Sequence, residues 1–306
     1  LFSSVWLSWV NLTFTVNVLS WLPRRQLALV MLAAMFAVGA IAVAAPEATG
    51  ELSWLFAAGN AALRFLLLGL WATLSWNTGV ASRLRLLAYN GVTGVLWLAS
   101  IWVPAPVKFL LWGVALVTEV VLLLTNSRSW PERMLPRMNV EHLSERFGLL
   151  VVIVLGESVL TIVTALNGHW SVATGVTAAL CLVVVAVLAW AFFMYGAEMM
   201  REGLEHLQKA GLYRPIRDTV GFLPFFLVVG VTALSGALAA SIHHPLEPLP
   251  PAGAVSLCGG IVLFYVTNAI VSLRFGRPLA QVLRWAVPAL LLLAVPAVMS
   301  ASAPAM

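Results

Sequence analysis

Gln26-Leu-Ala-Leu-Val-Met-Leu-Ala-Ala-Met-Phe-Ala-Val-Gly-Ala-Ile-Ala-Val-Ala-Ala45 runs for twenty residues without a charge, closed by Pro23-Arg24-Arg25 before it and Pro46-Glu47 after it. A helix of that length crosses the hydrocarbon of a bilayer, which is about 30 Å thick. The rest of the chain repeats the pattern. Of its 306 residues 61% are hydrophobic and only 9% charged, with a mean hydropathy of +0.98. A water-soluble domain carries about 25% charged residues. A chain this apolar cannot cover a soluble fold, which excludes a nucleic-acid-binding domain, a cytosolic dinucleotide enzyme and a secreted disulfide scaffold. The expected class is all-α, one integral membrane domain over residues 1–306.

Apolar windows of spanning length fall at 2–21, 26–45, 53–75, 85–103, 107–125, 146–166, 172–196, 219–241, 253–273 and 283–302, about ten spans. Prolines separate several of them, at Pro104-Ala105-Pro106 and from Pro245 to Pro251. Trp21, Trp54, Trp76, Trp102, Trp170 and Trp285 lie near predicted ends, where an amphipathic ring prefers the headgroup level.

Ten spans make a claim about charge. Loops one, three, five, seven and nine hold 15 of the 17 basic residues, among them Arg24, Arg83, Arg85, Arg128, Arg133, Arg137, Arg146, Arg201, Arg217 and Arg274. Lys108 alone is on the opposite side, and Arg64 lies inside a span. Positive loops face the cytoplasm, so both ends of this chain are expected outside. A first helix entering from outside without a signal sequence predicts a preceding helix missing from this chain. The net charge of +5 is then topology, not a polyanion-binding surface. Cys181 and Cys258 both lie in apolar runs and read as small buried hydrophobes.

The densest motif is Asn139-Val-Glu-His142-Leu-Ser-Glu145-Arg146-Phe-Gly148, followed by Leu155-Gly156-Glu157-Ser158. It resembles the signature of the bacterial low-temperature-requirement A (LtrA) family, a pattern of the type H-x-x-E-R-x-G followed by L-G-E-S. Cys258-Gly259-Gly260 through Tyr265 with Arg274 resembles that family's glycine-pair helix, Trp6-Leu-Ser-Trp9 its tryptophan-rich second helix, and Glu119 falls where the family tends to carry an acid. The resemblance implies a multi-pass bacterial inner-membrane protein linked to growth in the cold, and names no reaction. Three features depart from it. The usual opening helix is absent; Trp190-Ala-Phe-Phe-Met-Tyr195 stands where an aromatic run closes on Asp; and Gly221-Phe222-Leu-Pro224 lacks a His common there.

An ionisable group at mid-bilayer costs about 2.5–3.5 kcal/mol on insertion scales, so Arg64, Glu119 and Glu157 each need a partner or a task. Similar depth pairs Arg64 first with Glu157, with Glu119 competing. The bland reading is an ion pair that holds the bundle together; the functional one is a proton or ion relay. Asn60 and Arg64, four residues apart, share a face. Ser158 adjoins Glu157, and Gly148 and Gly156 offer close helix approach. Asn11, Thr13, Asn90, Tyr265 and Asn268 add polarity within spans. At the start of the sixth span His142, Glu145 and Arg146 read as a cap and salt bridge, with Ser144 as N-cap, or as a cytoplasmic mouth. Two ligands without a third are a weak metal signal. Glu198 to Asp218 reads as a short interfacial helix.

No H-E-x-x-H, G-x-S-x-G or P-loop sequence occurs, so no catalytic residue, metal or cofactor is assigned. The expected function is a transporter or channel for an ion or small solute. Arg64, Glu119 and Glu157 would line its pathway with Asn60 and Ser158, and proton coupling would run through Glu157. The rival readings are a structural or regulatory envelope protein for growth in the cold and an intramembrane lipid-modifying enzyme. The expected partners are the lipid bilayer and an unidentified solute or ion, with no nucleic acid. The oligomeric state is open.

Overall fold

The computed structural model describes residues 1–19, 22–74, 84, 87–125, 138–168 and 170–292. Arg83, Arg85, Arg128, Arg133, Arg137, Trp21, Trp76 and the end of the tenth window lie outside the described residues. Everything regular among the described residues is helical, as hydrocarbon demands of a chain that must satisfy its own backbone hydrogen bonds. Contacts divide the chain into two compact units, Leu1–Asn139 and Val140–Met306.

The first unit holds α1 (Phe2–Val18), α2 (Arg24–Ala44), α3 (Ser53–Leu74), α4 (Thr93–Ala99) and α5 (Val107–Leu124). A π-helical turn, Leu87–Val92, leads into α4, and a 3-10 turn, Ser100–Trp102, follows it. Its core is aromatic. Phe56, Trp97 and Trp112 pack with ring centroids 5.2–6.0 Å apart, enclosed by Ala44, Ala48, Ala57, Ala61 and Ala115.

The second unit holds α6 (Val140–Leu166), α7 (Val172–Ala191), α8 (Ala197–Lys209), α9 (Tyr213–Gly221), α10 (Leu223–His243), α11 (Pro251–Arg274) and α12 (Leu279–Leu292). Ser171 caps α7 in a reciprocal box with Thr174, which satisfies two of the donors that a helix start leaves open. A π-helical turn, Phe192–Gly196, joins α7 to α8. Gly211 ends α8 at φ 70°, so that the amides of Gly211 and Leu212 reach back to Gln208 and Leu207, a closure that positive φ makes cheap for glycine.

Seven helical segments among the described residues are long and apolar enough to cross a membrane, and the chain is a multi-pass membrane protein. Against these seven the expected ten is somewhat high. Segment 2–21 is helical for only 17 residues, to Val18. Segment 85–103 is described from Leu87 onward and is helical only over Leu87–Trp102, through a π turn, a 7-residue α4 and a 3-10 turn. Segment 283–302 is described only as far as Leu292, with Pro288 inside it. The other windows hold. Trp54, Trp102 and Trp170 are exposed near helix ends, and the outer faces of α2, α6 and α7 carry Phe36, Ile153 and Val183 in the open. Such a surface is an error in water and ordinary against lipid.

Glu198 to Asp218 forms two helices, not one. Between them α8 buries Met200, Leu204 and Leu207 and leaves Arg201 to bond Glu198 and Glu205.

A buried arginine–glutamate pair as candidate functional site

α3 carries Asn60 and Arg64 one turn apart, and both side chains turn inward, at 0% and 2% exposure. α5 brings Glu119 to the same point, on the face that also buries Trp112 and Ala115. Arg64 Nε donates to Glu119 Oε1 at 2.5 Å and Nη2 to Oε2 at 3.0 Å. Two parallel bonds match the planar fork of guanidinium to carboxylate. Nη1 donates to Ser8 Oγ at 3.1 Å and to Asn60 Oδ1 at 3.1 Å. The guanidinium also lies over the Trp97 ring, 5.6 Å from its centroid, where the π face stabilises a cation.

The pair therefore joins three helices of the first unit. Removing two charges from water costs several kcal/mol each, and their attraction repays that only when the remaining lone pairs and protons also find partners. Ser8 and Asn60 supply them. Asn60 Nδ2 in turn donates to Phe56 O, and Ser8 Oγ to Ser4 O.

Ser8 belongs to a stripe. Ser4, Ser8, Asn11 and Thr15 are spaced by four, three and four residues, which is one helix face. Asn11 Nδ2 donates to Asn90 Oδ1 at 3.0 Å, and Trp71 Nε1 to Thr15 Oγ1 at 3.0 Å. Beyond them Asn17 exchanges two bonds with the backbone of Asn139. α1 thus carries a polar seam along much of its length, with the charge pair on it. The spacing is legible in the sequence, but single hydroxyls in spans usually bond their own helix, so Ser4, Ser8 and Thr15 carry little signal there beside Asn11.

Depth put Glu157 ahead of Glu119 as the partner of Arg64; the structure gives that place to Glu119. Glu157 lies on an exposed face of α6 with Ile153, Gly156 and Leu160. Ser158, one residue on, faces inward and its Oγ accepts from Ser235 of α10 at 2.6 Å. Gly148 and Gly156 have open space where a Cβ would stand, so neither mediates the close approach expected of it. That role falls to Gly230 and Gly260, where α10 meets α11.

His142 Nδ1 lies 3.1 Å from Glu145 Oε2, both side chains about 60% exposed, and Arg146 is half-buried. Ser144 does not cap: α6 has already begun at Val140, and Ser144 Oγ donates to Glu141 O. Tyr265 and Asn268 line a cavity of about 470 Å³ within the second unit. Among the described residues no three His, Cys, Asp or Glu side chains gather as a metal site would need.

Fold and site together define a polytopic helical membrane protein with a fully paired ion bridge among its spans. The chain belongs to the family of the bacterial low temperature requirement A protein (LtrA), which it matches over residues 1–306. It is 25% identical over 274 residues to an uncharacterized protein of Rhizobium meliloti (strain 1021), covering 85% of this chain and 65% of the relative. The chain thus spans about 65% of that protein's length. No solved structure matches it.

Proposed function

We propose that the protein moves an ion or small solute across the bacterial inner membrane, along the polar seam of the first unit, with the Arg64–Glu119 pair as a proton-responsive gate. The observation that carries this reading is the pair's setting: a bidentate bridge at 2% exposure, flanked by Ser8, Asn60, Asn11 and Asn90. Intramembrane ionisable residues commonly mark ion and proton pathways. A proton on Glu119 cancels its charge and leaves the Arg64 cation unmatched, which favours a second arrangement or an incoming anion. Glu157, a lone carboxylate on an apolar face, is the second group that would carry a proton. In the second unit His142, Glu145 and Arg146 stand exposed or half-buried where α6 begins, an end that the arginines leading into it, Arg128, Arg133 and Arg137, would hold at the cytoplasmic face.

The test is flux. The purified chain is reconstituted in liposomes enclosing a pH-sensitive dye, and a proton or ion gradient is imposed. Dissipation that is lost in Glu119→Gln at equal incorporation is the expected result. The same variants made at Glu157 decide which carboxylate carries the proton. No dissipation under any gradient would leave the pair an assembly device and end the transport reading.

A further inference from the structure

The geometry points to a binding site for one anionic phospholipid in the second unit, with an acyl chain in the cavity between α7, α11 and α12 and the phosphate on Arg277. The cavity holds about 470 Å³, within the range of sites that take small ligands. Its lining is ordered along its depth. On α12 the lining residues run Gln281, Trp285, Ala289, with Arg277 just before the helix. On α11, which reaches the same end from the opposite direction, they run Asn268, then Tyr265 and Phe264. The turn after α7 adds Phe192 at the deep end. The polar groups therefore cluster where the Glu202–Arg277 bridge closes the unit, and aromatic rings fill the rest.

That gradient matches an amphiphile and not a hydrated solute. The mouth carries Tyr195, 64% exposed, and Trp285, 37% exposed, with exposed Met194 next to Tyr195, so that a ligand can enter from hydrocarbon. Tyr and Trp at such a rim mark the headgroup level. Among the described residues Arg277 is the only cation on the lining. Its Nη2 meets Glu202 Oε2 at 3.2 Å, and the side chain is 42% exposed. Among the described residues this is its one carboxylate, a single contact that leaves Nε and Nη1 to bond phosphate oxygens. A chain buried among five aromatic residues supplies affinity; the guanidinium supplies the preference for an anionic headgroup.

The experiment uses the purified chain in vesicles of phosphatidylethanolamine and phosphatidylglycerol, with a diazirine at the end of one acyl chain of the phosphatidylglycerol. Adducts are mapped by mass spectrometry after illumination. Labelling should concentrate on Phe192, Phe264 and Ala289, at the deep end. It should fall about fivefold in Arg277→Gln, the loss expected of one basic contact, and hold or rise in Glu202→Gln, which frees the guanidinium. Ala289→Trp, which fills the deep end without touching charge, should abolish it. Labels spread evenly over Leu29, Phe36, Val176 and Val183 as well would overturn the site. So would labelling that survives Ala289→Trp, or that is equally strong with a phosphatidylethanolamine probe. If Arg277→Gln does not fold, Ala289→Trp and the paired probes still decide.

Discussion

Gly230 and Gly260 stand back to back where α10 crosses α11: a Cβ built on either would run into the carbonyl oxygen of the other. Gly260→Ala therefore forces two backbones apart and should destabilise the protein by about 1–3 kcal/mol, as overpacking does elsewhere. Its neighbour is the control. A Cβ on Gly259 meets open space, and Gly259→Ala should gain up to about 1 kcal/mol from helix propensity. Thermal unfolding in detergent separates the two, and equal midpoints for both variants would show that the crossing does not depend on bare backbone.

Half-removal of the ion pair should cost more than whole removal. Arg64→Met leaves Glu119 buried without its bidentate partner, a loss of about 3–5 kcal/mol. Arg64→Met with Glu119→Leu should recover most of it. Abundance after extraction, read by size exclusion, is sufficient. A double variant no better than the single one would mean that the bridge itself, and not charge balance, holds α1, α3 and α5 together.

The Asn11–Asn90 bond is a simpler case. Asn11→Leu leaves Asn90, 2% exposed, short of a partner, at about 1–3 kcal/mol. Leucine at both positions should be nearly neutral. A double-mutant cycle on the unfolding midpoint checks this, and additive losses would argue against direct coupling of the two amides.

The windows of apolar sequence were legible because transfer from water to hydrocarbon acts on every residue alike, and a count of twenty captures it. Which face a span turns inward is another matter. Around Glu157 the positions Val152 to Leu155 and Val159 to Leu160 are apolar on all sides. No amphipathic contrast marks the buried stripe there, so depth alone could not separate Glu157 from Glu119. Gly260 was visible as part of a pair, but only packing shows that Gly260 and not Gly259 meets another backbone. The first of the expected spans falls short on length, and the fourth passes through π, α and 3-10 turns that its composition does not announce.

His142 and Glu145 are both about 60% exposed, and exposed pairs of this spacing contribute little. His142→Ala should change the unfolding midpoint by no more than about 0.5 kcal/mol. If flux falls while stability stays, the residue acts at the mouth; if stability falls, the pair is structural despite its exposure.

The π-helical turn at Phe192–Gly196 has a consequence for chain length. On α7 the buried positions run Cys181, Val185, Leu188, Phe192, and an unbroken α-helix would continue that series through Tyr195, Met199, Glu202 and His206. The series instead resumes at Gly196, Met200, Gly203 and Leu207, one position later each time. The wide turn absorbs one surplus residue, so that about 100° of helical phase per residue is not passed on, and Glu202 and His206 stay outside. Deleting Met194, which is exposed, should turn the segment into plain α-helix and leave both buried faces aligned, measurable as retained helicity and midpoint. The same deletion at Val183 would rotate all of α8. The continuous segment Val172–Lys209 thus contains a point where evolution can add or drop a residue without changing which side faces in.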